Sequence, residues 1–236
     1  MFNPVILRRS QKQEGESPFW ISFSDLMSAL MVLFLLVMAV TLISVTKDVS
    51  TTTEQRKIQR EQEIKALMET IRHNSSEFPE VKVDEATYQI DLGDVVRFDS
   101  GRSNIGEDGS RFLRSYVPVL LKAQASELGQ KWIRRIVVEG FTDQDGTYLR
   151  NLGLSLQRSQ RLVCVLFDRP YSNEMPLSDP EKRQIQDLFL VGGYSFNSMK
   201  ASKEASRRVE LKVEFWALDE TKPITPAAEN KEIGQC

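Results

Sequence analysis

The chain has 236 residues, with 31 Lys or Arg against 33 Asp or Glu and a formal net charge of −2. That near balance argues against a polyanion, and so against nucleic acid, as partner. Two cysteines and one histidine do not make a disulfide framework or a zinc site. No phosphate loop, nucleophile elbow or catalytic carboxylate pair is present, so neither an enzyme nor a cofactor protein is expected.

Residues 1–17 carry the cations Arg8, Arg9 and Lys12. Ser17-Pro18 follows as an N-cap and first-turn proline, and Phe19, Trp20 and Phe23 supply an interfacial aromatic belt. Residues 26–45 then contain no charge, and about 20 helical residues at ~1.5 Å each cover the ~30 Å hydrocarbon core. The span is assigned to residues 18–46. A cleaved signal peptide is the competing reading, but the apolar stretch is longer than a usual h-region and no A-x-A-like site follows. Cations flank both ends, with Lys47, Arg56 and Lys57 beyond the span, so charge bias orients it only weakly, N-terminus inside.

Asp25 stands just inside this run, roughly 7–8 Å inward from Trp20 on a helix. A carboxylate there costs roughly 2.5–3.5 kcal/mol at mid-membrane on insertion scales, which marks it as an ion-path residue or the partner of a polar helix. Ser22, Ser24 and Ser28 are equally readable as polar contacts to it or as close-packing residues.

Residues 47–80 are polar and read as a helical linker. Ile58, Ile64, Leu67, Met68 and Ile71 recur at a helical spacing too sparse to bury much alone. A solvated spacer and a weak pairing with a second copy both fit, since no sustained heptad exists. His73 lies in this polar stretch without a second ligand type nearby.

A compact domain is expected over residues 81–217. Residues 87–92 alternate as a strand does, and Phe98-Asp99-Ser100-Gly101 is a turn. A helix over 111–128, a strand over 133–140, a helix over 149–167, a strand over 187–192 and an alternating strand over 207–215 follow. The pattern predicts an α/β sandwich, one mixed sheet packed by helices, with Cys164 as a core residue. Residues 170–181 form a long polar insertion. The tail, 218–236, with two prolines and scattered charge, is expected to be disordered.

Asn151, Ser155 and Arg158 stand at i, i+4 and i+7 on one helical face spanning about 10 Å, while Asp143 ends the preceding strand. An acid and a base thus converge, suited to the ammonium and carboxylate of a zwitterionic amino-acid head. On the residues alone, an Asp–Arg pair at this spacing reads more readily as a surface ion pair than as a ligand site, since such pairs are common and weak.

Val138-Glu139-Gly140-Phe141-Thr142-Asp143, Asn151-Leu152-Gly153-Leu154-Ser155-Leu156-Gln157-Arg158 and Arg207-Arg208-Val209-Glu210 resemble, in order, the G-x-T-D, N-x-x-L-S-x-x-R and R-R-V-E blocks of OmpA-like peptidoglycan-binding domains. Joined to an Asp-bearing span, they make the whole chain similar to the MotB family of ion-driven stator subunits. Within that family, residues 18–27 most resemble the branch found in the Zorya anti-phage system. The resemblance implies Asp143 and Arg158 as the contacts to a stem-peptide diaminopimelate, Thr142, Asn151 and Leu154 as lining residues, and Arg207 and Arg208 as supports from behind. Phe141 stands where the family often has histidine, and Ser206 where it often has asparagine.

The resemblance further implies two copies of the span inside a ring of a MotA-like multi-span subunit, with Asp25 binding and releasing the permeating ion. It implies an inner-membrane protein with a cytoplasmic N-terminus and a periplasmic C-terminal domain. A flagellar motility stator and a passive wall tether are the alternatives. A passive tether has no need of Asp25.

Overall fold

The computed structural model describes residues 17–170, 175–220, 222, 234 and 236, without the side chains of 17–21 and 48. The expected cap at Ser17, the Phe19 and Trp20 side chains, residues 1–16 and most of the tail lie outside the described residues. The chain forms two units, residues 1–56 and 57–236. Helix α1 (Ser17–Asn74) contributes to both.

In the first unit α1 carries an 18-residue window of mean hydropathy 2.8, none of it buried. Leu33, Phe34, Leu36 and Ile43 are all exposed, an apolar surface open all round that suits lipid rather than water. The hydroxyls of Thr41 and Thr46 donate to Met38 O and Leu42 O at 2.9 and 2.6 Å, so both are satisfied inside the helix. Helical geometry sets Ser22, Ser28 and Ala29 beside Asp25 at i−3, i+3 and i+4. The bulky Phe23, Met27, Leu30 and Phe34 fall on the other side.

The second unit is a five-stranded mixed sheet in the order β1-β2-β5-β3-β4. Strands β1 (Lys82–Asp84), β2 (Gln89–Asp91), β5 (Val209–Phe215) and β3 (Ile133–Gly140) pair antiparallel, and β4 (Phe189–Gly193) runs parallel to β3. A parallel pair needs a crossover, supplied here by α4 (Tyr148–Phe167) and α5 (Asp179–Leu188). Helices α2 (Glu107–Ala125), α3 (Glu127–Trp132) and α6 (Lys203–Ser206) complete the unit. Ile136, Val138, Leu211 and Val213 on the sheet join Leu113, Tyr116, Leu120, Leu162 and Val165 on the helices in one core.

The compact unit that holds the expected domain runs from Lys57, ahead of the expected start at residue 81. Ile64, Leu67, Met68 and Ile71, read as sparse linker positions or contacts to a second copy, are at most 2% exposed inside this chain's own core. Each such burial contributes about 1.5–3 kcal/mol. Four apolar side chains on one stripe look insufficient in sequence because the rest of the core they join comes from other elements of the chain.

Cys164 is buried in the core as expected, and it is also bonded to Cys236 with the Cα atoms 5.8 Å apart. A bridge closing 72 residues has no local spacing signature. It restricts the unfolded chain by about 4 kcal/mol in the chain-entropy treatment. Residues 179–181 of the polar insertion open α5, and Ser178 with Glu181 forms a capping box in which Glu181 Oε2 accepts the Ser178 N–H at 2.8 Å. The S-x-x-E spacing was the legible signal for that helix.

A fragment starting at Val81 should fail to unfold cooperatively in urea, whereas one starting at Lys57 should do so. In the latter, Leu67→Ala should cost about 2–5 kcal/mol.

Glu63 fastens the same helix to α3, accepting from Lys131 Nζ and Trp132 Nε1, both at 2.6 Å. The Lys131 bond and then the Trp132 bond hold its carboxyl below the ordinary value of 4.5. A depressed carboxyl stabilises the fold above its unfolded pKa and loses that contribution as the pH falls. Glu63→Gln should therefore lower the Tm at neutral pH, and the gap to the parent should close in acid.

Candidate functional site

The loop after β3 is placed by a tight helix–strand approach. A Cβ at Gly140 would overlap the Ser155 carbonyl oxygen, and one at Gly193 would meet Leu156 Cγ and Ser155 Oγ. With both positions lacking a side chain, α4 lies directly on the ends of β3 and β4. Ser159 Oγ donates to Gly192 O at 2.8 Å, and Ser155 Oγ accepts from Ser195 N at 3.1 Å. The chain then continues as Phe141-Thr142-Asp143, held by Phe141 N to Arg208 O at 3.0 Å and Thr142 N to Ser195 O at 2.9 Å.

Asp143 is buried, and its two oxygens have separate partners. Oδ1 accepts from Asp145 N at 3.1 Å, and Oδ2 pairs with Arg207 Nη1 at 3.0 Å. Arg207 also donates through Nε to Phe98 O and through Nη2 to Glu204 Oε1. Its hydrogen bond to Asp143 raises its pKa above the ordinary guanidinium value, ahead of the opposing effect of burial. Lys203 Nζ reaches both oxygens of Asp145 at 2.7 and 2.8 Å, so α6 is tied across the loop.

Arg158 has no exposed surface. Its fork donates to Phe141 O at 2.7 Å, Arg102 O at 3.0 Å and Asp99 O at 3.1 Å, and its guanidinium lies 5.0 Å from the centroid of Phe98. Burial pushes its pKa down to about 10, Asp143 pulls it back up and Arg207 lowers it. The cation is thus spent on three main-chain carbonyls rather than on an open recess. The reachable guanidinium beside Asp143 belongs to Arg207, whose side chain is 15% exposed.

The other expected residues distribute around this pair. Thr142 is buried, and its Oγ1 has no hydrogen-bond partner among the described residues. Such an atom costs about 1–3 kcal/mol unless something outside the protein meets it. Asn151 is buried with Nδ2 donating to Asp145 O at 3.2 Å, bracing the loop, and Leu154 is half-buried on α4. Arg208 lies against the Phe141 ring at 4.2 Å and donates to Glu210 Oε1 at 2.7 Å. Ser195 as a partner of the Asp143 loop was beyond sequence reasoning, because it comes from a segment more than fifty residues downstream. Arg207 was expected at the site, but as a support from behind and not as the ion-pair partner of Asp143. The Phe98–Gly101 turn was legible as a turn, but not as the acceptor of Arg158.

Asp25, by contrast, lies in the first unit, and makes no hydrogen bond or ion pair among the described residues.

Residues 7–51 match the family model described as membrane MotB of the proton-channel complex MotA/MotB. A solved structure of a putative MotB-like protein from Desulfovibrio vulgaris is 16% identical over 67% of this chain and 99% of that one, with a TM-score of 0.42. The periplasmic domain of MotB is 19% identical over 56% of this chain at a TM-score of 0.39, and this chain spans 65% of its length. Zorya protein ZorB of Escherichia coli O139:H28 (strain E24377A / ETEC) is 42% identical over 99% of this chain and 97% of its own length.

The chain belongs to the ZorB family. In this ZorB-family chain the acidic loop and its basic partner are assembled from β3, α4, α6 and the start of β5, so the three sequence blocks meet at one end of the sheet.

Arg158→Ala should destabilise the second unit by about 3–5 kcal/mol, because three main-chain carbonyls, that of Phe141 buried, lose their donor together. Thr142→Val, which removes no existing hydrogen bond, should cost less than about 1 kcal/mol in the same urea titration.

Proposed function

We propose that the chain is the ion-conducting, wall-anchored membrane subunit of a MotA/MotB-type inner-membrane motor serving anti-phage defence. The observation that carries this reading is Asp25, a lone carboxylate on an apolar helix whose surface is open to lipid on every side. Membership of the ZorB family supports the defence role, and the match of residues 7–51 to the MotB model spans Asp25.

Two copies of this span sit within a ring of a MotA-like multi-span partner. Protonation of Asp25 removes most of its desolvation penalty, so the packing of the helix against the ring differs between the charged and neutral forms. The membrane potential supplies about 2.3 kcal/mol per elementary charge per 100 mV.

The second unit holds the wall. Asp143 receives the ammonium of a stem-peptide amino acid, Arg207 its carboxylate, and Thr142 Oγ1 the remaining polar contact. Asn151, Leu154, Arg158 and Arg208 line or brace that loop. The domain faces the periplasm and the N-terminus the cytoplasm. The Cys164–Cys236 disulfide supports this, because such bonds persist in an oxidising compartment.

Asp25→Asn keeps shape and polarity but removes the titrating group. It should abolish protection in a phage challenge while the protein still inserts in the membrane and co-purifies with its partner subunit; full protection by the Asn variant would sink the ion-relay role. Asp143→Ala should lower binding to purified sacculi by about tenfold or more, the effect of losing one member of a partly desolvated charge pair. Parental binding by that variant would remove the assigned wall site.

A further inference from the structure

The acidic loop runs on into an aromatic pair that neither the ion site nor the wall contacts use. Tyr148 opens α4 five residues after Asp143 and is 45% exposed. The half-buried Phe196 meets it edge to face, with ring centroids 5.8 Å apart and planes at 85°. Such rings present flat apolar area at small conformational-entropy cost, which is why aromatic side chains are favoured in recognition surfaces.

Ser195 fixes the pair to the acidic loop. Its backbone takes φ 54°, a left-handed turn that leads the chain from Tyr194 to Phe196. Its carbonyl accepts from Thr142 N at 2.9 Å, its amide donates to Ser155 Oγ at 3.1 Å and its hydroxyl donates to Tyr148 O at 3.2 Å. One buried residue thus sets both the backbone that presents Asp143 and the start of α4 that presents the Tyr148 ring. Gln144, Thr147 and Asn197, all exposed, add amide and hydroxyl groups along the same two segments.

A pyranose ring has the matching chemistry, with C–H groups on its faces and hydroxyl or acetamido groups around its rim. A stem peptide is joined covalently to the glycan, so an amino acid held at Asp143 brings a sugar with it. A tether of about three residues reaches at most roughly 10–11 Å, which confines that sugar to the surroundings of the loop and raises its effective concentration there.

We propose that Tyr148 and Phe196 form a saccharide subsite beside the Asp143 loop, in which one hexosamine ring of the glycan strand stacks on the Tyr148 ring. The subsite rests on the wall-site reading and extends its ligand from an amino-acid head to a sugar–peptide conjugate. The sugar C–H groups meet the negative face of the aromatic ring, and Phe196, edge-on, holds that ring in place.

The test is calorimetric titration of the full chain in detergent micelles with two soluble wall fragments, a disaccharide–peptide and the same peptide without its sugars. The parent should bind the disaccharide–peptide about fivefold tighter or more. Tyr148→Phe keeps the ring face and should hold that preference. Tyr148→Leu keeps apolar bulk without a flat face, and should bind both fragments with the parent's affinity for the peptide. Equal affinities in the parent, or an undiminished preference in Tyr148→Leu, overturn the subsite and leave the wall site standing. Equal loss of both fragments in Tyr148→Leu overturns it too, because the ring would then support the loop rather than meet a sugar. If the parent binds neither fragment, the wall-site reading fails and the subsite falls with it.

Discussion

The buried fork of Arg158 is the contact on which the second unit's functional end depends. A guanidinium removed from water is tolerated only when its donors are matched, and here three main-chain carbonyls, the face of Phe98 and the charge of Asp143 do so together. The carbonyls come from the turn before α2 and from the end of β3. One side chain therefore ties α4 to two other stretches of chain. Because Phe141 O is among them, the backbone that presents Thr142 and Asp143 is held from behind. Arg207 is free to hold Asp143 from the front.

The outer face of the sheet follows the same logic of matched charge. The register sets Glu139 directly opposite Glu210, both buried, an arrangement that is unfavourable for two like charges. Arg208 at 2.7 Å and Lys200 at 3.1 Å offset Glu210, and Gln89 donates to Glu139 at 3.3 Å. Arg208 also covers Phe141. The R-R-V-E block thus does two jobs on two faces: Arg207 meets the acidic loop, and Arg208 neutralises the strand pair beneath it.

Helix α1 carries two different apolar patterns. Its first part is apolar on every side, and the turns after Lys57 are apolar on one stripe only. The stripe is buried by strands and helices of the same chain, which is why these turns belong to the folded unit rather than to a spacer. Glu63 adds a polar fastening to the apolar one.

The sequence by itself determined whatever depends on local pattern. Uninterrupted apolarity over 26–45 marked the long apolar helix, and Asp25 stood out as the lone carboxylate at its start. Two-residue alternation located β5 to within two residues, an apolar run ending in glycine located β3, and the helical period located α4 to within one. The three motif blocks named the residues that gather around the Asp143 loop. Tertiary structure alone decided which of them face each other. It gave Asp143 to Arg207 and sent Arg158 inward, because pairing depends on how β5 and α4 register against β3, and that register is a property of the whole sheet. It also drew Ile64, Leu67, Met68 and Ile71 into the core and joined Cys164 to Cys236. In each case the partner surface is remote in sequence, and no local periodicity carries information about a neighbour that only folding supplies.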